Sequence, residues 1–438
     1  LKTLRIQTLG CSKNTVDTEH LLSQVEHLYK VLPEGEGDGV DTLLLNTCGF
    51  IGDAKQESID AIMQAVALKN SGAVGRIFVM GCLSQRYADS LPSLIPEVDG
   101  WFGARELSPI VKALGGTPVE NPSRYRTDAL PYAYLKISEG CDRRCSYCAI
   151  PFIRGAHKSV PVEKLVEEAS ALSESGVREL LLIAQDTTYY GLDIYRKRSL
   201  GRLLDALSDV KGIEWLRIHY SHPADFPEDV LEQLSGNPKV CRYLDIPLQH
   251  ASDKVLSLMH RQCDGKWTRD LVERLRKTVP GVALRTTMIV GHPGEGRKEF
   301  QELLDFVRWA RFERLGAFQY SEEEGTFDAL NNPDTVAPAT KRRRLDKLMA
   351  TQREISLSYN QSRVGSLERV LVDGVAPGGE LVCRSEFESP EVDGEIIAVY
   401  PEGALPPKES PVGKFLTVRI TGADDYDLRA VVENKTQQ

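Results

Sequence analysis

The run Cys141-Asp-Arg-Arg-Cys145-Ser-Tyr-Cys148 decides how this chain is read. Its gaps are unequal, three residues and then two, and it leaves three thiolates in one loop with no fourth. A tetrahedral zinc site or a simple electron-transfer cluster takes four cysteine or histidine ligands. Three thiolates on a four-iron cluster instead leave one iron open to a small molecule. The bland alternative is a zinc knuckle or chance clustering. The run lies between the apolar stretch Tyr134-Leu-Lys-Ile-Ser138 and the stretch Ile150-Pro-Phe-Ile-Arg-Gly155.

On the amino-terminal side, three short apolar runs share one layout. Leu4–Gly10 leads into Cys11, Thr42–Thr47 into Cys48, and Arg76–Gly81 into Cys82. Each run suits a buried parallel strand, and each is followed by a helical stretch: Val16–Tyr29, Asp53–Lys69 and Leu83–Asp89. This alternation predicts an open α/β unit over residues 1–105 with right-handed crossovers. All three cysteines then lie at carboxyl ends of strands, the edge where such sheets bind ligands. A single cysteine there is ordinarily a structural thiol. Three in equivalent places, 37 and 34 residues apart, point to metal ligation, again with three ligands. Gly115, Gly116, Pro118 and Pro122 break any regular pattern in 106–128, which reads as a linker.

On the carboxyl-terminal side, residues 129–362 continue the alternation. Candidate strands are Tyr134–Ser138, Glu179–Ala184, Trp215–Tyr220, Tyr243–Leu248, Leu284–Gly291 and Leu315–Tyr320. The helical stretches between them predict a parallel partial barrel of six β/α units. The basic run Lys341–Arg344 opens a further helix and reads as a solvated face. Cys241 and Cys263 lack ligand spacing and read as ordinary thiols. Residues 363–438 change to short β runs punctuated by glycine and proline, the pattern of a small β-barrel.

Composition bounds the function. The chain has 438 residues, a formal charge of −9 and nine cysteines. Six of those cysteines stand in the contexts above, which suggests metal ligation in a reducing compartment rather than a disulfide framework. No apolar run reaches the ~18–20 residues of a membrane span, and Leu1-Lys-Thr-Leu-Arg5 opens no signal-peptide core, so a cytoplasmic protein without a membrane partner is expected. From Val364 to Gln438, seven basic residues stand against fourteen acidic ones, a net charge of −7. Such a module repels phosphates and favours a basic polypeptide as partner, so tRNA is disfavoured. Plain solubility is the alternative. Within it, Glu386, Glu388 and Glu391 are expected to face that partner.

Several stretches resemble a known family. Cys-x-x-x-Cys-x-aromatic-Cys, with Tyr147 as the aromatic residue, is similar to the signature of radical S-adenosylmethionine (SAM) enzymes. Leu9-Gly-Cys-Ser-Lys-Asn-Thr-Val-Asp-Thr-Glu19, Asn46-Thr-Cys-Gly-Phe50 and Gly81-Cys82 resemble the amino-terminal motifs of the methylthiotransferases within that superfamily. The tail resembles their TRAM domain, and Cys383–Gly394 is closest to the ribosomal-protein branch. The resemblance implies two [4Fe-4S] clusters, one on Cys141, Cys145 and Cys148 and one on Cys11, Cys48 and Cys82, with SAM on the open iron of the first. It places Tyr147 at the adenine, the turn Ile289–Glu295 with Gly291 along the ribose and adenine, and Gln185 and Arg285 at the methionyl end. For Arg285 a structural ion pair is an equal alternative.

The implied reaction adds a methylthio group to the β-carbon of an aspartate in ribosomal protein S-twelve. An external electron donor is needed, and the sequence does not name the sulfur source. Hydrogen abstraction by a 5′-deoxyadenosyl radical needs no side-chain acid or base, so His219, His222, Asp245, Gln249 and His250 read as the rim of a polar cavity. The other readings are a tRNA methylthiotransferase acting on a modified adenosine and a non-enzymatic zinc or iron–sulfur module.

Overall fold

The computed structural model describes residues 1–33, 35, 39–402 and 409–433. The first hundred residues form a five-stranded parallel sheet in the order Tyr29–Leu32, Lys2–Thr8, Val40–Thr47, Val74–Gly81, Gly100–Trp101. The two outer strands were not predicted. Tyr29–Leu32 begins at the last residue of the expected helix Val16–Tyr29; the helix itself spans Ser12–Leu22, starting directly after Cys11 and ending before that strand. Gly100–Trp101 is two residues long and too short to show a period. The segment 106–128 also carries more than a connection. Ser108–Ala113 is helical, and Ile110 and Val111 are fully buried against Leu4, Leu21 and Leu44.

The central sheet has six parallel strands in the order Arg314–Gln319, Ala283–Val290, Val240–Asp245, Trp215–Ile218, Glu179–Ile183, Tyr132–Lys136. Successive side chains alternate between faces. Leu180, Leu182, Leu216, Ile218, Leu244 and Leu284 join the core shared with the helices. Their alternates Glu179, Arg217, Tyr243 and Arg285 take the other face. The polar groups on that face pair with one another. Arg217 Nε lies 2.6 Å from Glu179 with both side chains fully buried, and Arg285 Nη1 lies 3.0 Å from Asp245.

The tail closes into a five-stranded barrel, Leu367–Val375, Leu381–Ser385, Ile396–Val399, Leu428–Val432, Phe415–Ala423. It plugs the end of the central sheet where the strands begin. Leu371, Phe387 and Phe415 pack on Trp215, Cys241, Tyr243 and Ala283. The turn after Ser385 supplies the polar half of the joint. Glu388 is 1% exposed and holds both Arg363 and Arg314, the latter at 2.9 Å. Glu386 pairs with Arg242 at 2.7 Å. Glu391 accepts from the hydroxyls of Tyr132 and Tyr134, and Asp393 from Tyr243 at 2.7 Å.

This corrects the expectation for Glu386, Glu388 and Glu391, which point at the central domain and not at a partner. Burial alone would push the Glu388 carboxyl up; the Arg363 and Arg314 guanidinium groups outweigh it and hold it well below the usual carboxylate range. The basic run is corrected too. Arg342 and Arg343 are exposed, but Lys341 and Arg344 are buried, donating to the Tyr320 carbonyl at 3.0 Å and to Glu295 at 2.6 Å.

Candidate active site

Strand register brings the first three cysteines together. Thr8 lies beside Asn46, and Thr47 beside Gly81, so the chain leaves three neighbouring strands at one level. Cys11, Cys48 and Cys82 follow within one to three residues. Gly10 is left-handed at φ 93°, and a Cβ there would stand 2.7 Å from Cys48 Cβ, so only glycine lets the first turn approach the second so closely. Cys48 and Cys82 are buried. Burial pushes the Cys48 thiol up to about 11, and it raises Cys82 against the pull of Arg154. The thiols are therefore poor anions until a metal takes the place of the proton.

The second set sits in the loop after Tyr132–Lys136. Burial pushes Cys141 up to about 12 and raises Cys148 further. Arg261 Nη1 donates to Cys145 Sγ at 3.3 Å, while its Nη2 is fixed on the Pro247 carbonyl at 2.6 Å. Ser146 Oγ donates to Asp328 at 3.0 Å, and Asp328 in turn holds His292 Nε2 at 2.7 Å. The Tyr147 ring meets His292 edge-on at 6.5 Å. Tyr147 and the turn Ile289–Glu295 are thus brought together, as the sequence reading places them. Gly291 in that turn has φ 77°, and its missing Cβ makes room for the Lys341 side chain.

Gln185 donates to Glu139 at 2.6 Å, and its Oε1 is buried without a partner, so one acceptor remains for a ligand. Arg285 is placed differently. It enters five residues before the end of Ala283–Val290 and is engaged by Asp245 and Asp393. His219 and His222 are held neutral, first by burial and then by the surrounding arginines, so neither is poised as an acid.

The domains that carry the two sets meet at a joint that sequence reading missed. Arg154 follows Cys148 by six residues and is 4% exposed. Its Nε donates to Cys82 Sγ at 3.2 Å, its Nη1 to Asp17 at 2.7 Å and its Nη2 to Asn14 at 2.6 Å. Lys136 reaches the same Asp17 and also Glu139, at 2.8 Å. Together Asp17 and Glu139 hold Lys136 charged despite its burial. Ser12–Leu22 faces this joint, and its Lys13, Asn14, Asp17, Thr18 and Glu19 are all buried. On the far side, Lys55 and Arg86 of the first unit share Glu323, at 2.9 and 2.6 Å.

Both triads suit an iron–sulfur cluster. Three cysteines on each side would leave one iron of a four-iron cluster open, where a closed zinc site takes four ligands. Each triad also has a cationic N–H donor on one sulfur, Arg154 on Cys82 and Arg261 on Cys145. Such donors stabilise an anionic cluster and tune it. Arg154→Gln is expected to destabilise the joint by ~3 kcal/mol and to release iron from the amino-terminal set first. Iron analysis of purified Arg154→Gln and Arg154→Lys protein checks this; equal iron in both and in the wild type would refute it.

Comparison with known proteins agrees with this architecture. Residues 135–307 match the model of the Radical SAM superfamily, residues 3–103 that of "Uncharacterized protein family UPF0004", and residues 364–432 that of the TRAM domain. The cobalamin-bound radical SAM methyltransferase TsrM of Kitasatospora setae superposes with a TM-score of 0.56 at 14% identity, covering 73% of this chain and 72% of that one, a likeness of fold. The chain is a three-domain protein of the radical SAM class.

Over nearly its whole length it is similar to ribosomal protein uS12 methylthiotransferases RimO. It is 46% identical to that of Bacteroides thetaiotaomicron over 99% of both chains and 47% identical to that of Porphyromonas gingivalis over 97% of both. The Flavobacterium johnsoniae protein is 45% identical over 97% of both. The chain belongs to the RimO family.

Proposed function

We propose that this chain is a radical SAM methylthiotransferase that modifies the β-carbon of an aspartate in ribosomal protein uS12, the substrate named for its relatives. The observation that carries the reading is the pair of three-cysteine sets on two domains joined through Arg154, which follows Cys148 by six residues and donates to Cys82 and Asp17. When bound, two [4Fe-4S] clusters and SAM supply the radical that removes hydrogen from an unactivated carbon and the sulfur that replaces it.

The chain's own residues bind, orient and exclude water. Cys141, Cys145 and Cys148 hold one cluster, and Cys11, Cys48 and Cys82 the other. Arg261 fixes Cys145. Tyr147 with His292 offers an aromatic wall, and the open acceptor of Gln185 a polar contact, for SAM. His219 and His222, whose protonated forms are disfavoured by burial and the surrounding cations, are weak proton acceptors, and radical abstraction needs none. The tail barrel seals the opposite end of the sheet, keeping water from the reactive face.

An external one-electron donor and a sulfur source complete the system, and the cytoplasm, where ribosomal proteins are made, is its place of action. No helix among the described residues is long and apolar enough to cross a membrane. With Glu386, Glu388, Glu391 and Asp393 turned inward, the acidity left for a basic substrate is concentrated at Asp424, Asp425 and Asp427 beside the last hairpin.

Mass spectrometry of ribosomal proteins from cells lacking the gene tests the reading. Loss of one methylthio group from uS12, restored by the wild-type gene, is expected. An unaltered uS12 with loss of a methylthiolated nucleoside from tRNA would overturn the substrate.

A further inference from the structure

Lys13 stands two residues after Cys11, on the first turn of Ser12–Leu22, and is 8% exposed. Its ammonium lies 3.3 Å from the centroid of the Tyr220 ring. Among the described residues it donates no hydrogen bond and makes no ion pair. Arg143, Arg154, Arg217, Arg314, Arg344 and Arg363, all buried, instead each hold a carboxylate. The ammonium tip is not sealed from solvent, so it stands open to an anion that a ligand brings.

Tyr220 is itself unusual. It follows Trp215–Ile218 by two residues and is left-handed at φ 56°, a conformation unfavourable for a bulky side chain. Two hydrogen bonds hold it there, from its N–H to Asp245 at 3.1 Å and from the Thr187 N–H to its carbonyl at 3.1 Å. The ring is thereby fixed under Lys13, at the carboxyl end of a central strand. An ammonium over an aromatic face keeps its other donors free. Lys13 therefore presents a positive charge between the amino-terminal cysteines and the mouth of the central sheet.

We propose that Lys13 binds the side-chain carboxylate of the substrate aspartate and selects aspartate over uncharged residues. This rests on the function proposed above. The carbon to be modified is bonded directly to that carboxylate, so a cation holding one holds the other. Cys11, two residues away in the chain, belongs to the set that would deliver the methylthio group. A carboxylate could also come from the methionyl end of SAM, and the anionic cluster at Cys11 is a third candidate; the experiment separates all three.

Anaerobically reconstituted full-length protein is titrated with fluorescent peptides carrying the uS12 target loop, with aspartate or asparagine at the modified position. The wild type is expected to bind the aspartate peptide about 10- to 100-fold more tightly, the range of a charge-assisted hydrogen bond. Lys13→Met, which keeps the stem and loses the ammonium, is expected to bind both peptides alike, and Lys13→Arg to retain a preference. SAM affinity and the amino-terminal cluster's reduction potential are measured on the same proteins. A Lys13→Met protein that keeps the aspartate preference overturns the assignment. So does one whose change is confined to SAM affinity or to the cluster potential. A wild type that binds neither peptide overturns the uS12 reading together with it.

Discussion

Replacing Cys11, Cys48 and Cys82 together by alanine is expected to abolish methylthio transfer while leaving reductive cleavage of SAM to 5′-deoxyadenosine in place. The iron content should fall from about eight to about four per chain, the values for two and one four-iron clusters. The converse triple variant, at Cys141, Cys145 and Cys148, should also lose about four irons, yet lose both cleavage and transfer. The separation follows from the structure, because the two sets stand on different cores. One is the layer around Leu43, Leu45 and Val79; the other is the large central core around Leu180, Leu216 and Leu284. Emptying one should leave the other folded. Arg154 loses Cys82 in the first variant but keeps Asp17 and Asn14, so the joint persists. Iron analysis and product assays on both variants decide the matter. Transfer at wild-type rate without the amino-terminal cysteines, or loss of all iron in either variant, would sink the two-site account.

Glu388→Gln should release the tail barrel. The carboxylate is shared by two buried arginines, and removing one partner of such a network costs ~3–5 kcal/mol. By contrast Glu386→Gln, which breaks a partly exposed pair with Arg242, should cost about 0–1 kcal/mol. Thermal unfolding and hydrogen exchange at Trp215 and Cys241, which the barrel covers, measure both effects. Equal stability of the two variants would contradict the clasp.

The pH dependence follows the same logic. The Glu388 carboxyl is depressed in the folded protein. Its contribution is therefore complete above the unfolded value of about 4.3 and is lost as the pH falls through the lower folded value. The joint should hold throughout the neutral and mildly acidic range. Reversing Glu386, Glu388 and Glu391 to lysine would consequently detach a domain and not merely redirect a substrate.

The sequence by itself determined the parts whose cause is local. The two cysteine sets are legible because their spacing, and their place after apolar runs, follow from bonded distances and strand geometry. The six central strands were read within a few residues, and the tail as a small barrel of short strands, since apolar runs and bracketing turns are properties of the chain alone. The reading stopped where a residue's role depends on what packs against it. Nothing in Ile150–Gly155 indicates that Arg154 reaches across 72 and 137 residues to Cys82 and Asp17. The acidic residues of Glu386–Asp393 read as a face for a basic partner, because the arginines and tyrosines that absorb them come from elements far away in the chain. Lys341 and Arg344 were misread for the same reason. Composition sets how much charge a segment carries. Only the tertiary structure decides which charges are neutralised inside and which, like that of Lys13, stay without an ion pair, because burial and pairing are properties of elements brought together.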